Sequence, residues 1–206
     1  MKYKPTYLAS LVLSFVGLFA VICPSARATY IATLNEVGAD VFGTGSGSFD
    51  LTALTGPNGF SGGATMNPSI GTFLLGTTVL PGGLIDGYSG ISGPTSFGSG
   101  GGSNADTGGG PLVGVRGNSP VLFVPSNYSS GTSLATSTDT WNSSTFASLG
   151  VTPGTYVWNW GTGMHADSYT LQIGPTNGVP ETGSTIWLML GAVGTLIAFR
   201  QKLVRG

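Results

Sequence analysis

Charge is what this chain has least of. Only 7% of its 206 residues are charged, against about 25% in an ordinary soluble domain. Cysteine is almost missing: Cys23 is the only one, which excludes an internal disulfide and any cysteine metal site. His165 is the only histidine. Between Thr29 and Gly178 no apolar stripe of 3.6-residue period is sustained, which excludes a helical body. What remains is abundant glycine (36 residues) with 40% hydrophobic and 10% aromatic side chains. That apolar content is too high for a disordered polar chain. It suits an all-β domain with many turns, and roughly 150 residues suffice for one core.

The few charges are unevenly placed. Lys2, Lys4 and Arg27 lie at the start, and Arg200, Lys202 and Arg205 at the end. Between them stand all eight acidic residues and one basic residue, Arg116. An acidic body repels nucleic acid, so nucleic acid is excluded as a partner.

The first segment reads as an address. Lys2 and Lys4 precede an apolar run over residues 8–22, the length of a signal-peptide core and short for a membrane span. Pro24 breaks that run, and Ala26-Arg27-Ala28 places small residues where signal peptidase requires them. Cleavage after Ala28 removes residues 1–28 and leaves Thr29 first. Cys23 lacks the small preceding residue of a lipidation site, since Ile22 stands there.

The last segment, residues 179–206, has three parts. Val179-Pro180-Glu181-Thr182-Gly183-Ser184-Thr185 is polar and opens with an extended Val-Pro pair. An apolar stretch over 186–199 follows, then the basic residues Arg200, Lys202 and Arg205. As a helix that stretch rises about 21 Å, short of the roughly 30 Å of hydrocarbon. The basic end stays cytoplasmic by the positive-inside rule, which leaves Val179, Pro180, Glu181, Thr182 and Gly183 outside.

This tail resembles the PEP-CTERM sorting signal of Gram-negative bacteria, whose processing enzymes are the membrane-embedded transpeptidases called exosortases. Thr182 stands where the commonest form has a second proline; the Val-Pro-Glu-Thr-Gly-Ser-Thr string is similar to a recognised variant. Val-Pro-Glu-Thr-Gly is also close to the Leu-Pro-x-Thr-Gly signal of Gram-positive sortases. The short helix with Gly191 and Gly194 suits the first type better. A plain tail anchor without processing is the third reading of these residues. The body too resembles a group of exported proteins sharing the tail, through Tyr88-Ser89-Gly90-Ile91-Ser92-Gly93-Pro94, Leu122-Phe123-Val124-Pro125 and Trp158-Asn159-Trp160-Gly161. That likeness implies export and carries no activity.

Residues 29–178 alternate with period two. Tyr156, Trp158 and Trp160 share one face of a strand, and Tyr169, Leu171 and Ile173 one face of the next; residues 161–167 link them as a hairpin. Tyr30 to Leu34 and residues 40–51 predict a second pair around Gly38. Residues 72–75 and 121–124 are shorter strand candidates. Residues 87–117, with their glycine runs, read as one or two long flexible loops. The expected class is all-β, a sandwich with Gly-rich loops between a signal peptide and one hydrophobic C-terminal helix.

Catalytic chemistry finds little support. Gly59-Phe60-Ser61-Gly62-Gly63 has the spacing of a nucleophile elbow, but no helix follows it. His165 and Asp167 complete a formal Ser-His-Asp set and read instead as a solvated hairpin tip. The aspartates are scattered and form no calcium loop, so no metal, cofactor or catalytic residue is assigned. Trp141, Trp158 and Trp160 are core candidates, or else a platform for sugar rings. The sequence therefore predicts a non-enzymatic exported protein, passing transiently through the inner membrane to the cell surface or matrix. Signal peptidase and an exosortase-like transpeptidase are the expected partners. A surface carbohydrate-binding module, with extracellular polysaccharide as partner, is the alternative.

Overall fold

The computed structural model describes residues 29–78 and 84–174. Ala26, Ala28, Val179 to Gly183, Arg200, Lys202 and Arg205 lie outside the described residues. Those described form an all-β body with one short helix, as the alternation predicts. Among them, no helix is long and apolar enough to cross a membrane.

β1 (Thr29–Val37) buries Tyr30, Ala32 and Leu34 and turns the intervening side chains outward. Gly38, at φ 68°, makes the turn into β2 (Asp40–Gly47), and the two strands pair antiparallel from Val37–Asp40 to Tyr30–Gly47. Glycine recurs on the inner face of β2 for lack of room. A Cβ on Gly45 would lie 2.8 Å from the Tyr30 ring, and one on Gly43 2.9 Å from Leu75. β2 ends at Gly47, short of Leu51.

The second expected hairpin is also present. β12 (Gly154–Trp160) and β13 (Asp167–Ile173) pair antiparallel, with Trp158 opposite Tyr169 and Trp160 opposite Asp167. Period two does not disclose the next contact: β13 runs parallel to β1, from Thr29–Ser168 to Leu34–Ile173. This joins the two ends of the body in one six-stranded sheet, ordered β12-β13-β1-β2-β11-β8. Here β8 is Thr107–Gly109 and β11 is Leu134–Trp141.

The seven-stranded sheet is ordered β3-β6-β10-β9-β5-β4-β7. Its members are β3 (Thr55–Ser61), β4 (Thr65–Asn67), β5 (Thr72–Leu75), β6 (Leu84–Ser89), β7 (Ser103–Asn104), β9 (Val113–Arg116) and β10 (Val121–Pro125). β5 and β10 fall on the two short candidates. Phe73 of β5 stacks on Trp141 of β11 at 6.2 Å, so one core joins the sheets. α1 (Phe146–Leu149) is a single turn closed by a capping box between Thr145 and Ser148.

Residues 87–117 correct the expectation of long flexible loops: they supply the end of β6 and all of β7, β8 and β9. Their glycines serve close approach rather than freedom of movement. A Cβ on Gly114 would meet the Phe73 carbonyl oxygen at 2.0 Å, because β9 and β5 lie in register there. The Ser99 and Gly100 amides likewise donate to the Gly150 carbonyl. Composition alone cannot separate a glycine chosen for mobility from one chosen for tight packing.

Candidate functional site

Because β1 and β13 are parallel, the body has two distinguishable ends. Gly174 leaves β13 at the end carrying the β1–β2 turn. At the other end three connections meet: residues 48–54 after β2, 126–133 after β10 and 161–166 between β12 and β13.

The aromatic side chains fix this second end. Phe49 stacks on Tyr30 at 5.1 Å and lies edge-on to Tyr128 at 6.2 Å. Tyr128 Oη accepts from the Phe49 amide and donates to the Thr132 carbonyl. The Trp160 indole N–H donates to the Asp50 carbonyl at 2.7 Å. Two connections distant in sequence are thereby held on one floor.

On that floor sit Asp50, His165 and Asp167. His165 Nδ1 lies 2.8 Å from Asp50 Oδ2, and the Thr52 amide donates to Asp50 Oδ1. Hydrogen bonds from Thr52 and then His165 hold the Asp50 carboxyl down at about 2. With Asp50 ionised, His165 Nδ1 is the donor of the pair. Asp167 is 6% exposed and accepts from the Asp50 and Ser168 amides at 2.6 Å each. Burial raises its carboxyl to about 6 in spite of those bonds.

The expectation of a solvated tip at 165–167 is therefore half corrected. His165 is exposed, but Asp167 begins β13 and lies inside. The formal Ser-His-Asp set is not assembled. Ser61 closes β3 opposite Leu84, and among the described residues no hydrogen bond links it to His165. The partner of His165 is Asp50, which the sequence left among scattered acids. Among the described residues no three His, Cys, Asp or Glu side chains gather as a metal site. What this arrangement does is clamp: the Asp167 carboxylate at the start of β13 holds the amide of Asp50 in the connection after β2.

The tryptophans settle on the core side of their two readings. Trp141, Trp158 and Trp160 are 1%, 0% and 4% exposed, so none offers a ring to sugar. Sequence reasoning missed a further buried acid, Asp139 of β11. It is 1% exposed, accepts from the Gly76 amide through Oδ2 at 2.9 Å, and leaves Oδ1 without a partner among the described residues. Burial pushes its carboxyl up to about 8. Gly108 faces it across the ladder, where a Cβ would collide with Oδ1. One signal was available: Ser137, Asp139 and Trp141 share the face of a strand whose tryptophan is core.

The chain matches no family model, no curated protein and no solved structure.

Proposed function

We propose that this chain is an exported, non-enzymatic surface or matrix protein: a β-sandwich body delivered by a cleaved signal peptide and a PEP-CTERM-like tail. The observation that carries the reading is the extent of the first and last described strands. β1 begins at Thr29, the residue left first by a cut after Ala28, and β13 closes at Ile173, just before the Val179 motif. Neither cut falls within a described strand. The stacking of Phe73 on Trp141 between sheets supports the sandwich. In this reading the parallel β1–β13 pair sends the tail from one end of the body and points the Asp50–His165 end away from the membrane.

The test is intact mass and cell fractionation of the full chain in its native host. The mature protein is expected outside the cytoplasm, beginning at Thr29 and ending between Val179 and Thr182. Replacing Pro180 and Glu181 with Ala is expected to leave export intact and to retain a longer, membrane-bound form. A protein that begins at Met1 in the cytoplasm overturns the export reading. Equal maturation of the Ala variant reduces the tail to an anchor.

A further inference from the structure

One surface stands apart from both ends: the outer face of the six-stranded sheet. Every second residue of its strands points away from the core. In register across five strands stand Thr155, Gln172, Thr33, Thr44 and Thr138. Neighbouring members of such a row are about 4.8 Å apart, and the next row lies about 7 Å along the strands. Among the described residues no hydrogen bond engages the hydroxyls of Thr33, Thr44 or Thr138. In the adjoining row Phe42, 37% exposed, sits between Asn35 of β1 and Thr140 of β11. Ile31, 45% exposed, flanks the row on its other side.

Charge is missing from these rows. Asp139 and Asp167 point inward, while Glu36 and Asp40 stand at the turn end of β1 and β2. Well-behaved surfaces carry roughly 25–35% charged residues, so an uncharged sheet face of hydroxyls and amides, with Phe42, Ile31 and Val37 as its exposed apolar side chains, is selective about partners. It offers no counter-charge to a nucleic acid or an anionic polymer. It lacks the clustered aromatic and arginine anchors of a protein interface. A hydroxyl both donates and accepts, which matches a partner made of hydroxyls. An exposed ring accepts the apolar face of a sugar. A ladder of equivalent groups matches a partner that repeats.

We propose that this face binds a neutral polysaccharide. Phe42 is the stacking platform, and the Thr33, Thr44 and Thr138 hydroxyls are the hydrogen-bonding row. The proposal rests on the exported-surface reading, since such polymers are met outside the cell. The site is distinct from the buried tryptophans.

The test is depletion of the full chain, purified in detergent, by suspensions of cellulose, chitin and a neutral α-glucan, with alginate as the anionic comparison. The parent is expected to be retained by at least one neutral polymer, equally at low and high salt. Phe42→Ala, and separately the combined Thr33→Val, Thr44→Val and Thr138→Val variant, are each expected to weaken retention about tenfold or more. Valine keeps the β-branched shape on an open face, so thermal unfolding close to the parent's is expected for that variant. Binding that survives both variants overturns the proposal, as does retention on alginate alone or on none of the polymers. A dimer in light scattering that Phe42→Ala dissolves, without polymer binding, assigns the face to a second copy and also overturns it. A protein that reaches the surface yet ignores every neutral polymer sinks this proposal alone. A protein confined to the cytoplasm sinks the export reading, whatever it binds in a tube.

Discussion

Trp158→Ala is expected to lower the stability of the body by about 3–5 kcal/mol, or roughly 10 °C in Tm for a domain this size. Trp158 is fully buried and lies edge-on to Tyr169 at 5.9 Å. Its indole N–H donates to the Pro94 carbonyl at 2.9 Å. The backbone at Gly93 packs so closely that a Cβ there would lie 2.6 Å from the indole. Truncation therefore leaves a cavity that a β-sheet cannot close by collapse, and strands a carbonyl that the indole had satisfied. Urea unfolding should show a lower midpoint at unchanged slope. Trp158→Phe, which refills part of the volume, is expected to cost less than the Ala variant. A loss below about 1 kcal/mol for Trp158→Ala would show that this strand does not hold the core together.

The second large effect is in the pH dependence, and its sign is unusual. Asp139 and Asp167 are acids whose folded values lie above the ordinary 3.8, at about 8 and about 6. The folded state therefore binds more protons than the unfolded state across those windows, and stability falls as pH rises. The loss runs from about pH 4 to 6 for both groups and continues to about pH 8 for Asp139. Each group contributes at most about 1.4 kcal/mol per pH unit within its window. Asp50 works in the opposite direction, since its folded value of about 2 gives stability that is lost as pH falls from about 4 to 2. The body is expected to be most stable in mildly acidic solution and to weaken toward pH 8.

Asp139→Asn separates the contributions. The Asn carbonyl oxygen still accepts from the Gly76 amide but takes no charge. The variant is expected to match the parent near pH 4 and to exceed it progressively toward pH 8, leaving only the Asp167 decline up to pH 6. Thermal unfolding of both proteins across that range decides the matter. Parallel profiles would mean that Asp139 is hydrated and ionised in the folded state.

Much of the strand pattern was legible because it is local. A side chain two residues from a buried one points the same way, so Tyr30, Ala32 and Leu34, or Trp158 and Trp160, declare an inner face without reference to the rest of the chain. The corrections arose where the deciding contact is distant. Residues 87–117 look like loop because glycine signals freedom, whereas Gly114 is small to admit the Phe73 carbonyl. His165 and Asp167 look like a pair because they are neighbours in sequence, whereas His165 meets Asp50 across the end of the sheet.

By itself the sequence determined the all-β class, the inward side of each strong strand, and an acidic, cysteine-poor body between two basic ends with apolar runs. Those properties follow from composition and from a period of two residues. Only the tertiary structure decided that β13 lies parallel to β1, that Asp50 and Asp167 clamp one end, and that Asp139 is sealed beneath Gly108. It also decided that Thr33, Thr44 and Thr138 stand in register in one row of the outer face. Strand partnership is a contact between residues tens of positions apart, set by how whole faces pack, and no spacing along the chain records which face meets which.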